Sequence, residues 1–553
     1  MKGYEFIAKT WKDYGTTHVF YQELMFMKTL KEFENLGGKT ILAHSEFAAG
    51  YMADGYARVT GRPGVALAQS IGSANLAASI HDAWLGCSPV LTFTGRQSLD
   101  KLYRNAYQES DHRPFFDGLT KFNATVERAH QLPLLMRQSY RAATTGKPRP
   151  THLDIFGFFG MECEDDEVNE DVLVNAQFAK YPAFRPAAEE SAIDQAVEAI
   201  EKAKKPLIMV GRGGIVSGAQ KELYTFAQRN DIPVCTSPDG KTMIDEDDPL
   251  WAGVIGNYGM YGTNRIAADC DLFIIVGSQT GDQTTLNLTA PPPSVKAIQI
   301  DIEPSEIGRN YPNCIPLCGD AKVVLGQLAA AVPSARRTEW RIQVAAWLKE
   351  TTDAHEALWN NSSDPITTGY ICKQVTDALP DNAVLVGDTG WPCVWSATMI
   401  RVKASQFYTR AAGSLGWSFP AALGIKCGAP DRPVINFIGD GGMFYFSNEI
   451  ETAVRYNIPI VSVIYNNRSL AQVIPFMSGI YSGEENRCVD RLSFRNDFSY
   501  ARIAQEFGAH GVQVTKAADV AGAIRDAIAS NRPAIVEVMS ERCAPLGPRS
   551  NTL

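Results

Sequence analysis

The stretch Pro433–Asn467, PVINFIGDGGMFYFSNEIETAVRYNIPIVSVIYNN, constrains the fold of this chain more than any other. Val434–Ile438 is a short apolar run of the kind buried on both faces of a sheet. It ends in Gly439-Asp440-Gly441-Gly442, a turn for places where backbone must approach something closely. Asn448-Glu449 then opens an amphipathic helix, with Ile450, Ala453 and Val454 on one face. Pro459 follows that helix, and Ile460–Tyr465 is a second apolar strand closed by Asn466-Asn467. A strand–helix–strand unit of this length makes a right-handed crossover between parallel strands. Both strands finish at one edge, so Asp440 and Asn467 are predicted neighbours though 27 residues apart.

That edge is where open α/β sheets bind ligands. Free amides around Gly439 and Gly441–Met443 suit phosphate oxygens. The Asp440 carboxylate and the Asn467 carboxamide oxygen, joined by phosphate, suit a hard cation such as Mg2+. The competing reading is an ordinary buried unit whose glycines and asparagines only satisfy backbone groups. A GDGG turn alone does not separate the two; the added Asn pair at the end of the next strand favours the ligand site.

Composition removes several classes. A net charge of −9 over 553 residues argues against a nucleic-acid binder, which needs a basic face. No apolar run approaches a membrane span, and MKGYEFIAKTWKDYG lacks the apolar core of a secretory signal. Eleven scattered cysteines without CxxC read as reduced thiols, and hence as a cytoplasmic protein. The eight histidines show no metal-binding spacing.

The chain divides into three α/β segments. Residues 1–165 place strands at Thr40–Ala43, Val65–Gln69, Pro89–Thr94 and Thr151–Ile155, with a small-residue helix at Phe47–Arg58. Glu46 lies where strand gives way to helix, a position that a helix dipole alone would explain. An acidic, Pro-containing linker follows. Residues 188–335 then place a helix at Ser191–Ala203 and strands at Leu207–Val210, Val234–Thr236, Leu272–Val276 and Ala297–Ile300, with Asp301 ending the last. Residues 366–540 contain Val384–Val386, followed by Gly387-Asp388-Thr389-Gly390, a second phosphate-sized turn. The small residues of Ala411–Gly424 admit close backbone approach to a ligand. Residues 541–553 read as a tail, either disordered or a lid offering Arg549 to an anion.

Three segments carry a resemblance: HSEFAAGYMADGYAR, RAAGSLGWSFPAALG, and GDG with its double Asn. Together with DIEPSEIG in the middle, the chain resembles thiamine-diphosphate (ThDP) enzymes of the acetolactate synthase and pyruvate oxidase type over nearly its whole length. The resemblance implies three doubly wound α/β domains with mainly parallel sheets: pyrimidine-binding, central and diphosphate-binding. It also implies a homodimer or homotetramer, with each cofactor between the first domain of one subunit and the last of another. Glu46 is then the catalytic acid on the pyrimidine ring, and Leu415, beside Gly413, the apolar wedge that bends the cofactor. Asp440, Asn467 and the Ser469 carbonyl are the implied Mg2+ ligands, and Asp388, Thr389 and Gly390 the implied cofactor contacts. The implied reaction is C–C bond cleavage or formation on a 2-oxo acid or 2-hydroxy ketone, through ylid attack on a carbonyl and an enamine.

Gln108, in AYQESD, matches a pocket glutamine of the acetolactate synthase pattern, and His112 and Arg96 are further candidates nearby. Some positions depart from the pattern. Ser70-Ile71-Gly72-Ser73 replaces SGPG, Gln472 stands where those synthases carry Met, and Phe476 stands where they carry a larger aromatic. A pocket amide at Gln472 asks for a substrate oxygen. In the middle domain VGSQTGDQ replaces the VGxRFDDR of flavin-binding relatives, leaving FAD, ADP or no ligand open. The alternatives are a 2-hydroxyacyl-CoA lyase or oxalyl-CoA decarboxylase acting on a CoA thioester, and a non-catalytic subunit with the same fold.

Overall fold

The computed structural model describes residues 1–22, 25–495 and 497–542. Arg549 and the tail beyond 542, read above as disordered or a lid, lie outside the described residues. Within them stand three parallel six-stranded sheets, one per segment. The first comprises β1 (His18–Gln22), β2 (Lys39–Leu42), β3 (Gly64–Gln69), β4 (Val90–Gly95), β5 (Phe122–Val126) and β6 (Thr151–Ile155), in the order β2-β1-β3-β4-β6-β5. The second comprises β7 (Pro206–Val210), β8 (Val234–Thr236), β9 (Trp251–Val254), β10 (Leu272–Val276), β11 (Lys296–Asp301) and β12 (Cys314–Cys318), in the order β12-β11-β10-β7-β8-β9. The third comprises β13 (Val384–Gly387), β14 (Phe407–Arg410), β15 (Val434–Gly439), β16 (Val461–Asn466), β17 (His510–Val514) and β18 (Ala534–Met539), in the order β14-β13-β15-β16-β18-β17.

Each sheet winds first to one side of its founding strand and then to the other. The strand order therefore opens a crevice between β1 and β3, between β7 and β10, and between β13 and β15, which is where doubly wound sheets take ligands. Every residue of β15 and β16 is buried, as their apolar runs require. Two local expectations shift. Helix begins directly at Asp440 (Asp440–Phe446), ahead of the expected one, because Gly439 is extended and the glycines themselves form the first turn. Asp301 does end β11, but β12 follows as an edge strand whose Pro316 and exposed Cys318 hide the strand pattern.

The first and third segments share one apolar core, in which Phe20, Met52 and Leu76 pack with Trp417, Leu423 and Ile438. Helices Glu46–Thr60 and Ser418–Gly428 cross at its centre. A Cβ added at Gly55 would lie 2.2 Å from the Ala421 carbonyl oxygen, and one at Gly424 would lie 1.8 Å from that of Met52. No helix among the described residues is long and apolar enough to cross a membrane.

Candidate active site

The β13/β15 crevice gathers the third segment's candidates. Gly387 pairs with Phe437, and Gly439 with Tyr465, so the three strands each end within two residues of their neighbour and deliver Asp388, Asp440 and Asn467 to one edge. Asp388 has no exposed surface. Its Oδ2 accepts the Gly416 amide at 2.9 Å, while Oδ1 makes no hydrogen bond among the described residues. Burial pushes its carboxyl up to about 7. Gly442 must lack a side chain here, because its Cβ would stand 2.2 Å from Asp388 Oδ2. Gly390 has φ +77 and ψ −149, a conformation open essentially to glycine alone.

Asp440 is buried beside Asn467 and Ser469. Its Oδ1 accepts the Gly441 amide at 2.9 Å and its Oδ2 the Ser469 amide at 3.1 Å. Asn467 Oδ1 accepts from the Ser469 amide at 3.1 Å and from its hydroxyl at 3.2 Å. Burial pushes the Asp440 carboxyl up to about 7, and among the described residues no cationic side chain bonds it. A buried carboxylate next to neutral oxygen donors, lacking a counter-charge, fits a hard divalent cation. Tyr500, which carries no motif in the sequence, donates to the Asp440 carbonyl at 2.7 Å and steadies the turn. Met443 packs wholly in the shared core, which leaves only its backbone for a ligand.

The loop before helix Ser418–Gly428 holds Leu415 with 40% of its surface exposed, and the space above Gly413 is open. An unpartnered buried carboxylate oxygen, open space over a glycine and an apolar side chain held in the open suit a phosphate-bearing organic cofactor.

Glu46 opens helix Glu46–Thr60 behind the N-cap Ser45. Its Oε2 accepts from Asn75 Nδ2 at 3.1 Å, and its Oε1 would meet a Cβ at Gly72 at 2.2 Å. Among the described residues no hydrogen bond joins Glu46 to Asp388, Asp440 or Asn467. Gln108 sits at φ +57, its carbonyl bonded by the Ser70 hydroxyl and its buried side-chain oxygen without a hydrogen bond among the described residues. His112 is fully buried, with Nε2 3.1 Å from Ser70 Oγ and Nδ1 2.8 Å from Asp154 Oδ1. Both ring nitrogens are thus used behind the Gln108 segment. Arg96 is paired to Asp111 and Asp154 and lies over Phe156. Gln472 lies beside Gly390, at 3.0 Å from a Cβ there, and reaches Tyr258 of the middle segment at 3.5 Å; Phe476 is 54% exposed.

The middle segment holds a cavity of about 380 Å³ at the β7/β10 crevice, lined by Gly211, Arg212, Gly277, Asp301 and Asp320 among others. Its two glycine turns press together, a Cβ at Gly213 falling 2.6 Å from Gly277 Cα. Asp301 is buried, with its carboxyl raised to about 6 by burial.

Three family models cover most of the chain. The N-terminal TPP binding domain of thiamine pyrophosphate enzymes matches residues 1–115, the central domain 193–328, and the C-terminal TPP binding domain 388–538. The chain belongs to the thiamine-diphosphate enzymes, and within them to the acetolactate synthase type. It is 30% identical to the "Probable acetolactate synthase large subunit" of Methanocaldococcus jannaschii, over 98% of this chain and 92% of that one. It is 27% identical to the acetolactate synthase large subunit of Haemophilus influenzae, over 100% and 97%. It is 28% identical to the acetolactate synthase isozyme 1 large subunit of Escherichia coli, over 92% and 88%. These relatives do not favour the acyl-CoA alternatives.

Proposed function

We propose that this protein is a ThDP- and Mg2+-dependent carboligase or lyase acting on a 2-oxo acid or 2-hydroxy ketone. The observation that carries the reading is the set of unmet needs at one sheet edge: among the described residues Asp388 Oδ1 accepts no hydrogen bond and no cationic side chain bonds the Asp440 carboxylate. Asp440, Asn467 and Ser469 would hold Mg2+, and Asp388, Thr389 and the backbone of Gly390, Gly439 and Gly441–Met443 would line the cofactor's path. The chemistry supplied by bound ThDP is nucleophilic attack on a carbonyl carbon and storage of the electron pair from the broken C–C bond. Leu415 and Gly413 orient the cofactor, and the Glu46 carboxyl holds a proton at the pyrimidine ring nitrogen. Gln108, Gln472 and Phe476 are assigned to the substrate pocket, with His112 behind them.

Because among the described residues Glu46 bonds only within its own segment, we assign the completing half of each site to a second copy, making a homodimer or homotetramer. The exposed apolar side chains of Ile71, Leu415 and Tyr445 support a covering partner. For the middle cavity we infer a nucleotide, FAD or ADP, with Asp301 at the strand end accepting from ribose hydroxyls. Flavin absorbance of the purified protein separates FAD from ADP, and mass spectrometry of extracted small molecules identifies either.

Assaying wild type and Glu46→Gln on a panel of 2-oxo acids tests the main reading. Turnover is expected in the wild type and a loss of about a hundredfold or more in the variant, with ThDP still bound. Undiminished turnover in the variant removes Glu46 from the chemistry.

A further inference from the structure

Asp82, on helix Gly72–Leu85 of the first segment, is 1% exposed and reaches across to the third. Its Oδ1 accepts the Ala412 amide at 3.0 Å, and its Oδ2 accepts those of Gly413 at 3.1 Å and Ser414 at 3.0 Å. Asp388, on the opposite side, takes the Gly416 amide. Two buried carboxylates, one from each domain, thus grip the backbone on both flanks of Leu415, whose side chain stands in the open.

The rest of the cluster anchors the loop's ends. Arg58 donates from Nη1 to the Arg410 carbonyl at 2.7 Å, and from Nη2 to Asp54 at 2.7 Å and to Asp82 at 3.2 Å. Asp54 accepts the Trp417 indole N–H at 2.9 Å, and the Arg58 guanidinium lies 4.3 Å from the centre of that ring. Asp54 and Asp82 bring two carboxylates to one guanidinium, so Asp82 depends on the loop amides for the rest of its stabilisation.

The geometry points to Asp82 as a positioning residue: it fixes the loop that presents Leu415 to the cofactor, so the packing of the two domains sets the cofactor's bend. This rests on the reading of Leu415 as a cofactor contact. A carboxylate is required, because an isosteric amide would turn an N–H2 either toward Gly413 and Ser414 or toward Ala412 and Arg58, each a donor. An ordinary interdomain tie would cost stability alone; a positioning residue costs cofactor activation through Leu415.

The test is a double-mutant cycle of Asp82→Asn and Leu415→Ala, read as the rate of C2-proton exchange of bound ThDP, which needs no substrate. In the wild-type background Asp82→Asn is expected to slow exchange about tenfold or more, as a misplacement on the ångström scale would. In the Leu415→Ala background the same change should cost less than about twofold. Equal losses in both backgrounds overturn the proposal. Amide hydrogen exchange of the apo protein gives a cofactor-free readout: amides 412–414 should exchange slowly in the wild type and fast in Asp82→Asn, with 421–426 unchanged. Wild-type amides 412–414 that exchange as fast as free loop amides overturn the proposal even if the variant fails to fold. If wild type binds no ThDP, the cofactor reading fails, while the amide exchange still decides whether Asp82 holds the loop.

Discussion

Gly441 and Gly442 are adjacent in the first turn of helix Asp440–Phe446, yet alanine should be tolerated at one and not at the other. At Gly441 the new methyl would come 2.9 Å from Leu470 Cδ2, the far end of a flexible side chain that can rotate aside. At Gly442 it would come 2.2 Å from Asp388 Oδ2 and 3.1 Å from Ile438 Cγ1, inside a wall with no exposed surface. Relief there means pushing the Asp388 carboxylate off the Gly416 amide. Overpacking costs about 1–3 kcal/mol, and the lost charge-assisted bond about 1.5–3 kcal/mol more. Both variants gain the same helix propensity over glycine, about 1 kcal/mol, which cancels in the comparison. Gly442→Ala should therefore be less stable than Gly441→Ala by roughly 2.5–6 kcal/mol, a difference of several degrees in Tm. Thermal unfolding of the two apo variants under one buffer reads it directly. A Gly442→Ala protein as stable as Gly441→Ala would refute the packing argument.

Acid should destabilise the protein in a defined window. Burial lowers His18 to about 4 in the folded chain, against 6.5 when free. The unfolded chain therefore binds the extra proton between those values, and His18 costs up to about 3 kcal/mol as pH falls through 6.5 toward 4. His18→Gln should flatten the slope of stability against pH in that range; an unchanged slope removes His18 as its source. In the middle domain Lys241 and Glu246 form a buried ion pair, burial lowering the lysine and raising the glutamate. Lys241→Met should cost about 3–5 kcal/mol by leaving a buried carboxylate unpaired, while Lys241→Met with Glu246→Leu should recover most of it. Chemical denaturation of both variants checks the order, and a double variant no better than the single one would contradict it.

Legibility in the sequence followed burial. β15 and β16 are apolar because both faces are covered, and their ends carry the Gly and Asn signals that place Asp440 beside Asn467. β18 is buried up to its last residue, but Glu537 interrupts its apolar run like a solvated residue. Its carboxylate is satisfied by Asn466, Ser499 and the Ala501 amide, partners set by tertiary packing. β17 is a mostly half-exposed edge strand, and β9 bends at Gly253 with φ +86, so neither shows a clean period. Asp82 was hidden for a similar reason. An acid in SIHDAWL looks like the wet face of a helix, and only the packed domains show three loop amides converging on it.

Isothermal titration of the metal-free protein with ThDP, with and without Mg2+ and on Asp440→Ala, tests whether the β13/β15 crevice binds ThDP through a metal held by Asp440. Saturable binding of one ThDP per chain is predicted with Mg2+, and its loss both on chelation and in the variant. Binding that survives chelation and Asp440→Ala, or no binding by the wild type with Mg2+ present, would contradict the assignment.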